Sequence, residues 1–272
     1  MAESPAPIAY ELDDFSPPWE SVSPAVLLHG FARSAEFWRG WVPVLSDARA
    51  VVRPDHRGCG RSAGLAPSSY STGILVGDLI GLLDRLGIER AHLVGESSGG
   101  LVAAYAAAWH PDRVASATLV STPVRPAGHD ASVKSAGFDS TEDALRTVGL
   151  RGWWLESRRR GGELAGDARD GYYADQAART PVSSALAMWD WIHDPAIDLM
   201  EIATDLTPPV LLATPGSSHG TTVDQQRALE AALPDGRMHL FEGFNHEMYY
   251  LRAAEVARVA AAFMAECDEP RG

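Results

Sequence analysis

The feature that most constrains this chain is a repeated unit: a short apolar run, a turn with Gly, Pro or Asp, then a segment of helical spacing. The runs are "AVLLHG" (25–30), "AVVRPD" (50–55), "AHLVGE" (91–96), "VASATLVST" (114–122), "PVLLATP" (209–215) and "RMHLFEG" (237–243). Continuous apolar runs this short read as strands buried on both faces, which is the habit of parallel sheets. Between them, "STGILVGDLIGLLDRLG" (71–87) repeats its leucines at helical spacing, at Leu75, Leu79, Leu82, Leu83 and Leu86. "SGGLVAAYAAAWHP" (98–111) reads as a helix stopped by Pro111, and further helical patterns lie around 35–45, at 224–234 and at 253–267. The alternation predicts an α/β fold, a mostly parallel doubly wound sheet of about 7–8 strands.

One segment breaks the rhythm. From 124 to 207 no strong strand pattern occurs, while charges mix with clustered aromatics in "GWWLESRRRGG", "DGYYADQAART" and "ALAMWDWIHDPAIDLM". A structureless loop of that length is improbable in a compact domain, so the segment is read as a helical cap inserted over the sheet. The expected division is therefore a core of 1–123 and 208–272 with a cap of 124–207. With 272 residues, 46% of them hydrophobic, the chain can bury a core of that size. It has no apolar run long enough to span a membrane and no signal-peptide pattern at "MAESPAPIAYELDDF". Two cysteines, Cys59 and Cys267, sit in no metal-type spacing, so a cytoplasmic setting without a disulfide scaffold is expected. A net charge of −13 argues against nucleic acid and against an anionic membrane as partner. A homodimer is admitted, but the sequence carries no signal that fixes it.

The chemistry concentrates in three short stretches. "LVGESSGG" (93–100) fits G-x-S-x-G at a strand-to-helix junction, which marks Ser97 as a candidate nucleophile. The sharp turn strains the serine backbone, and glycines two residues to either side let neighbouring backbone pass close. A helix N-terminus then offers free N–H groups to an oxyanion. "LLHGF" (27–31) follows a buried strand, so the N–H of Phe31 can pair with that of Ser98 as an oxyanion hole, with His29 orienting the loop. "FEGFNHEMYY" (241–250) carries a late histidine between the last strand and the last helix. Of nine histidines, His246 is placed by chain order to take the Ser97 proton. "RPDHRGCGRS" (53–62) reads as scaffold, with Asp55 and Arg57 bonding adjacent loops and nothing to activate Cys59.

Taken in order, these motifs resemble the α/β-hydrolase fold superfamily over roughly residues 8–265. The resemblance implies a serine nucleophile (Ser97), a late histidine base (His246), an oxyanion hole (Phe31 and Ser98) and a cap after the strand at 114–122. It implies no cofactor. The N-terminus is short for the superfamily, so its first antiparallel strand is expected to be missing.

The departure lies in "LLATPGSSHGTTVD" (211–224), where the superfamily usually places its triad Asp and this chain has Ser217 and Ser218. A carboxylate there fixes the histidine tautomer and stabilises the imidazolium, and its loss costs about 10⁴ in rate in serine proteases. Four explanations stay open. The acid could follow the strand at 114–122, as in lactonases that cleave resorcylic macrolides; the chain is similar to these in its Ser-Ser-Gly elbow, but Ser121 stands where they have Glu. It could come from Asp224, although Asp224 reads as a helix N-cap, or from Asp130 or Asp139. A hydroxyl or carbonyl could orient the ring instead, from Ser121, Ser217 or Ser218. Lastly, the residues could perform chemistry other than hydrolysis, and His219 stays a remote alternative base. Glu96, next to the nucleophile, is expected to point away from the histidine.

Cap aromatics at a cleft mouth bury apolar ligand surface, or else form the cap's own core. Trp154 and Trp189 are the candidates for the substrate pocket, and Trp189 and Trp191 cannot share one helix face. The expected activity is an esterase or lactonase acting on a medium-sized, apolar, uncharged small molecule. The alternatives are a lyase, cyclase or acyl transferase on the same fold, or a non-catalytic ligand-binding protein.

Overall fold

Among the described residues the sheet has seven strands, and the middle five bury every residue: β2 (Ala25–Leu28), β3 (Val51–Pro54), β4 (Ala91–Glu96), β5 (Val114–Val120) and β6 (Val210–Pro215). That pattern requires cover on both faces. The computed structural model describes residues 5–19, 22–65, 70–126, 136–218 and 220–269. The edge strands are β1 (Tyr10–Asp13) and β7 (Gly236–Phe241), which alternate exposed and half-buried positions. The order is β1-β3-β2-β4-β5-β6-β7, and every pairing is parallel except β1 with β3.

The expectation that the first antiparallel strand is missing is corrected by β1, which pairs residue for residue with β3 from Tyr10↔Pro54 to Asp13↔Val51. Its sequence, YELD, has no apolar run to announce it. The strand is tied down by charge instead, with Arg53 reaching Asp13 at 2.7 Å and Glu11 at 2.5 Å.

The helices are α1 (Val42–Leu45), α2 (Thr72–Leu86), α3 (Ser98–Trp109), α4 (Thr141–Gly161), α5 (Ala168–Ala177), α6 (Val182–Ile192), α7 (Val223–Ala232), α8 (Met248–Leu251) and α9 (Ala253–Asp268). α2 begins where the Ser71 hydroxyl accepts from Ile74 N–H and ends at Gly87, whose φ of 66° only glycine adopts without strain. α2 packs on α3 and α1 on α9, and both α3 and α9 lie against β5. No helix among the described residues is long and apolar enough to cross a membrane.

Between β5 and β6 the described chain is helical: α4, α5, α6 and a short 3₁₀ turn at Ala203–Asp205. α4 changes direction at Gly149, where φ is 66° and ψ 176°. This insertion is anchored to the core by a fully buried ion pair, Arg158 Nη2 to Glu247 Oε1 at 3.1 Å. Removing one partner from such a pair typically costs about 3–5 kcal/mol, because the other charge is stranded. The sheet register aligns the carboxyl ends of β2, β4, β5 and β6, with Leu28 opposite Gly95, Glu96 opposite Val120 and Val120 opposite Ala213. The loops that follow these strands therefore meet at one crevice, where the strand order reverses on either side of β4.

Candidate active site

Ser97 stands between β4 and α3 with φ 51° and ψ −118°, a region that a non-glycine residue occupies only under strain. The strain is held by the packing. A Cβ at Gly95 would collide with the backbone of Gly99 and Gly100, and one at Gly99 with the Leu28 carbonyl. The Ser97 N–H is fixed by the Val120 carbonyl at 2.9 Å. Among the described residues the Ser97 hydroxyl has no hydrogen-bond partner, and the residue is only half-buried. The side chain is thus presented, not packed away.

Ser98 opens α3, so its N–H has no partner within the helix. The loop after β2 brings Phe31 to the same end of the sheet, followed by Ala32 at φ 53°. His29 organises that loop: its Nδ1–H donates to the Gly30 carbonyl at 2.9 Å, and its Nε2 accepts the His56 N–H at 3.0 Å. Both ring nitrogens are used by a neutral imidazole, and burial holds the His29 value below its ordinary range. Asp55 bonds Ala35 N–H at 2.7 Å and Arg61 N–H at 3.0 Å, the backbone role expected of it, while Arg57 grips the Asp78 carboxylate on α2. Cys59 is buried and its thiol is pushed up to about 12 by that burial, so it carries no activated thiolate.

His246 lies in the loop between β7 and α8, almost wholly buried at 7% exposure. Its Nδ1 sits 3.1 Å from the Ser218 hydroxyl, which also accepts the Gly220 N–H at 3.2 Å. Ser121 acts on the main chain instead: its hydroxyl donates to the His246 carbonyl at 3.0 Å, from a backbone at φ 48°. Thr221 in turn donates to the Ser121 carbonyl at 2.9 Å. The loops after β5, β6 and β7 are thereby laced together under the ring. Ser217 contributes its backbone N–H to the Phe244 carbonyl.

Two expectations about the acid are corrected. Asp224 is exposed in the first turn of α7 and is not its N-cap; Thr222 is, accepting from Gln225 N–H. Asp224 forms no hydrogen bond or ion pair with His246 among the described residues. Asp139 is exposed as well, while Asp130 and His219 lie outside the described residues. Glu96, expected to point away, instead places Oε1 3.4 Å from His246 Nε2. The same oxygen is 3.4 Å from Arg33 Nη2. Glu96 is fully buried, neither carboxylate oxygen has a hydrogen-bond partner among the described residues, and a Cβ at Gly30 would collide with it.

Arg33 also bonds Glu247 at 2.8 and 3.1 Å and the Tyr249 hydroxyl at 2.6 Å. Burial alone would lower its value, but Glu247 and Glu96 outweigh burial and hold the guanidinium well above its ordinary range. Two buried arginines, Arg33 and Arg158, thus face two buried carboxylates, Glu96 and Glu247, directly behind His246.

The aromatics divide between core and cleft. Trp154 is fully buried, its ring covered by Arg158 at 4.5 Å and packed near Phe37 and Tyr250, so it cannot line a pocket and the expectation for it is corrected. Trp189 is partly buried and meets Phe31 edge-on, with centroids 5.4 Å apart; Trp153 meets the same ring at 5.3 Å. Trp191 faces elsewhere, donating from Nε1 to Thr72 at 3.1 Å, as the two-residue spacing requires.

The profile of the family described as alpha/beta hydrolase fold matches residues 24–253. Epoxide hydrolase B of Mycobacterium tuberculosis is 43% identical over 111 residues, which is 40% of this chain and 31% of that protein. The chain spans less than half the length of the curated relatives it matches. Among solved structures, the enol-lactonase of Burkholderia xenovorans LB400 is similar with a TM-score of 0.76 and 25% identity, covering 95% of this chain and 96% of that one. A thermophilic esterase of Thermogutta terrifontis superposes with a TM-score of 0.79 at 20% identity, covering 96% and 94%, a likeness of fold.

Proposed function

The chain belongs to the alpha/beta hydrolase fold family, and from that premise we propose that it is a serine hydrolase of a medium-sized apolar ester or lactone. The observation that carries this reading is Ser97: a non-glycine residue held at φ 51° at the carboxyl end of a central strand, its hydroxyl without a hydrogen-bond partner among the described residues. Strain of that kind is kept where it positions a reacting atom. Ser97 Oγ attacks the carbonyl carbon while His246 Nε2 takes its proton. The developing oxyanion is bound by the N–H groups of Phe31 and Ser98, commonly the largest electrostatic contribution in such chemistry. His246 then gives the proton to the departing oxygen, and water repeats the cycle on the acyl-enzyme. No step calls for a cofactor. Phe31 and Trp189 pair their apolar rings at the end of the sheet that carries Ser97, which suits an uncharged apolar substrate. The similarity to an enol-lactonase over nearly the whole chain supports a lactone or ester over an epoxide.

A second reading, non-hydrolytic chemistry on the same residues, draws on one observation: among the described residues no carboxylate faces Nδ1 of His246. One experiment separates the two. A fluorophosphonate probe should label Ser97, mapped by peptide mass, and p-nitrophenyl or naphthyl esters should be turned over. Labelling without turnover favours the second reading; neither labelling nor turnover sinks the first.

A further inference from the structure

We propose that this site divides the work of a triad acid between two residues: Ser218 orients His246 through Nδ1, and Glu96 stabilises its charged form from the Nε2 side. The proposal rests on the serine-hydrolase reading. A triad carboxylate has two duties, to fix the tautomer and orientation of the ring and to balance the imidazolium that forms in the transition state. The Ser218 hydroxyl, 3.1 Å from Nδ1, is suited to the first. It can accept the Nδ1–H, and it is itself held by the Gly220 N–H. Being neutral, it supplies no countercharge for the second.

The charge comes from Glu96. Its Oε1 lies 3.4 Å from Nε2, the nitrogen that receives the Ser97 proton. A carboxylate removed from water and left without hydrogen-bond donors is costly, and a proton arriving within reach relieves that cost. While Nε2 presents a bare lone pair, ring and carboxylate repel each other; once Nε2 carries a proton, they attract. The gain therefore falls on the transition state and not on the resting complex, which is the condition for raising kcat. Arg33, also 3.4 Å from Glu96, offsets part of this field, but its guanidinium is already bonded to Glu247 and the Tyr249 hydroxyl. Glu96 has little freedom to leave, since it ends β4 and packs against Gly30. The same strand thus fixes nucleophile and carboxylate together.

The proton passes between Ser97, His246 and the leaving oxygen, and never to Glu96. The Oγ–H bond of Ser97 breaks as the N–H bond at Nε2 and the Oγ–C bond form, and the carbonyl electron pair moves to oxygen. As the bond to the leaving oxygen breaks, Nε2 returns the proton to that oxygen.

The test uses the full chain and a p-nitrophenyl ester. Glu96→Gln, near-isosteric and neutral, should lower kcat by about 10–100-fold with KM within about twofold. Glu96→Asp keeps the charge and should recover part of the loss. Ser218→Ala should lower kcat by about tenfold. In ¹⁵N spectra of the resting protein, Glu96→Gln should move the Nε2 signal of His246 and Ser218→Ala the Nδ1 signal. A Glu96→Gln enzyme with kcat within about threefold of the parent, or with an unmoved Nε2 signal, overturns the proposal. Should Ser97 take no fluorophosphonate label, the hydrolase reading fails instead, while the ring spectra still report whether Glu96 acts on Nε2.

Discussion

Among the described residues the chain holds two serine–histidine constellations, at opposite ends of the same strands, and the one whose serine, histidine and carboxylate are joined by hydrogen bonds is not the candidate site. Toward the amino ends of β4 and β5, His92 Nδ1 lies 2.8 Å from the Ser116 hydroxyl and Nε2 lies 3.0 Å from Asp268, which Arg49 also holds at 3.0 Å. Serine, histidine and carboxylate are all present and all bonded. Yet Ser116 and His92 are 0% exposed, and they pair with each other across the sheet beside a register shift between Ala91 and His92. Burial holds the His92 value down; Asp268 is also lowered, because although burial would raise it, His92 and Arg49 outweigh that. At the carboxyl end, Ser97 is strained, its hydroxyl has no hydrogen-bond partner among the described residues, the Ser218 hydroxyl meets Nδ1 of His246, and Glu96 lies on the unexpected side of the ring. The lower cluster pins the end of α9 to the sheet. Residue types and hydrogen bonds do not distinguish the two clusters; the strained, half-buried presentation of Ser97 at a helix N-terminus does.

Paired substitutions can break this comparison. Ser97→Ala should abolish ester turnover, by about 10⁴-fold or more, and leave the fold intact. Ser116→Ala should leave kcat within about twofold and lower stability by about 1–2 kcal/mol, since it removes a buried hydrogen bond. Kinetics and a thermal melt on each variant decide the matter. Activity lost on Ser116→Ala with an unchanged melt would assign chemistry to the sealed cluster.

A smaller effect should appear with acid. Burial depresses the values of His29 and His92, and His56 lies well below its ordinary range through burial and then the neighbouring His29. Between each depressed value and the ordinary one of about 6.5, the unfolded chain binds protons that the folded chain does not. The stabilisation is present above about pH 6.5 and is lost as pH falls below it. The melting temperature should therefore decline from about pH 7 to about pH 5.5, and a flat profile would contradict the buried, neutral state of these rings.

Ser97 and the parallel core were legible because their signals are local: apolar runs, a strand-to-helix junction and glycine two residues either side. β1 was not, because a strand secured by Glu11, Asp13 and Arg53 has no hydrophobic pattern to read. The orientation of Glu96 is hidden from the sequence for a different reason. Its orientation follows from β4, but its neighbour arrives from the loop before α8, whose course is set by long-range bonds such as Ser121 to the His246 carbonyl. The division of Trp154 into the core and Trp189 toward Phe31 likewise depends on how α4 turns at Gly149 and how α6 docks. No spacing encodes that.

The smallest expected effect belongs to Asp224, and it bears most directly on the acid that the loop after β6 lacks. The side chain is exposed in the first turn of α7, where a negative charge favours the helix N-terminus by about 0.3–1 kcal/mol. Asp224→Asn should therefore lower stability by no more than that and leave kcat within about twofold. Thr222 keeps its cap bond to Gln225 N–H in the variant, so the loop that carries Ser218 has no reason to move. A loss of tenfold or more in kcat with an unchanged melt would have one physical explanation. The carboxylate would have to swing to Nδ1 when substrate is bound, displacing Ser218 and restoring a single acid on the usual side of the ring. Near-parent activity would leave the hydroxyl at Nδ1 and the carboxylate at Nε2 as the groups that serve His246.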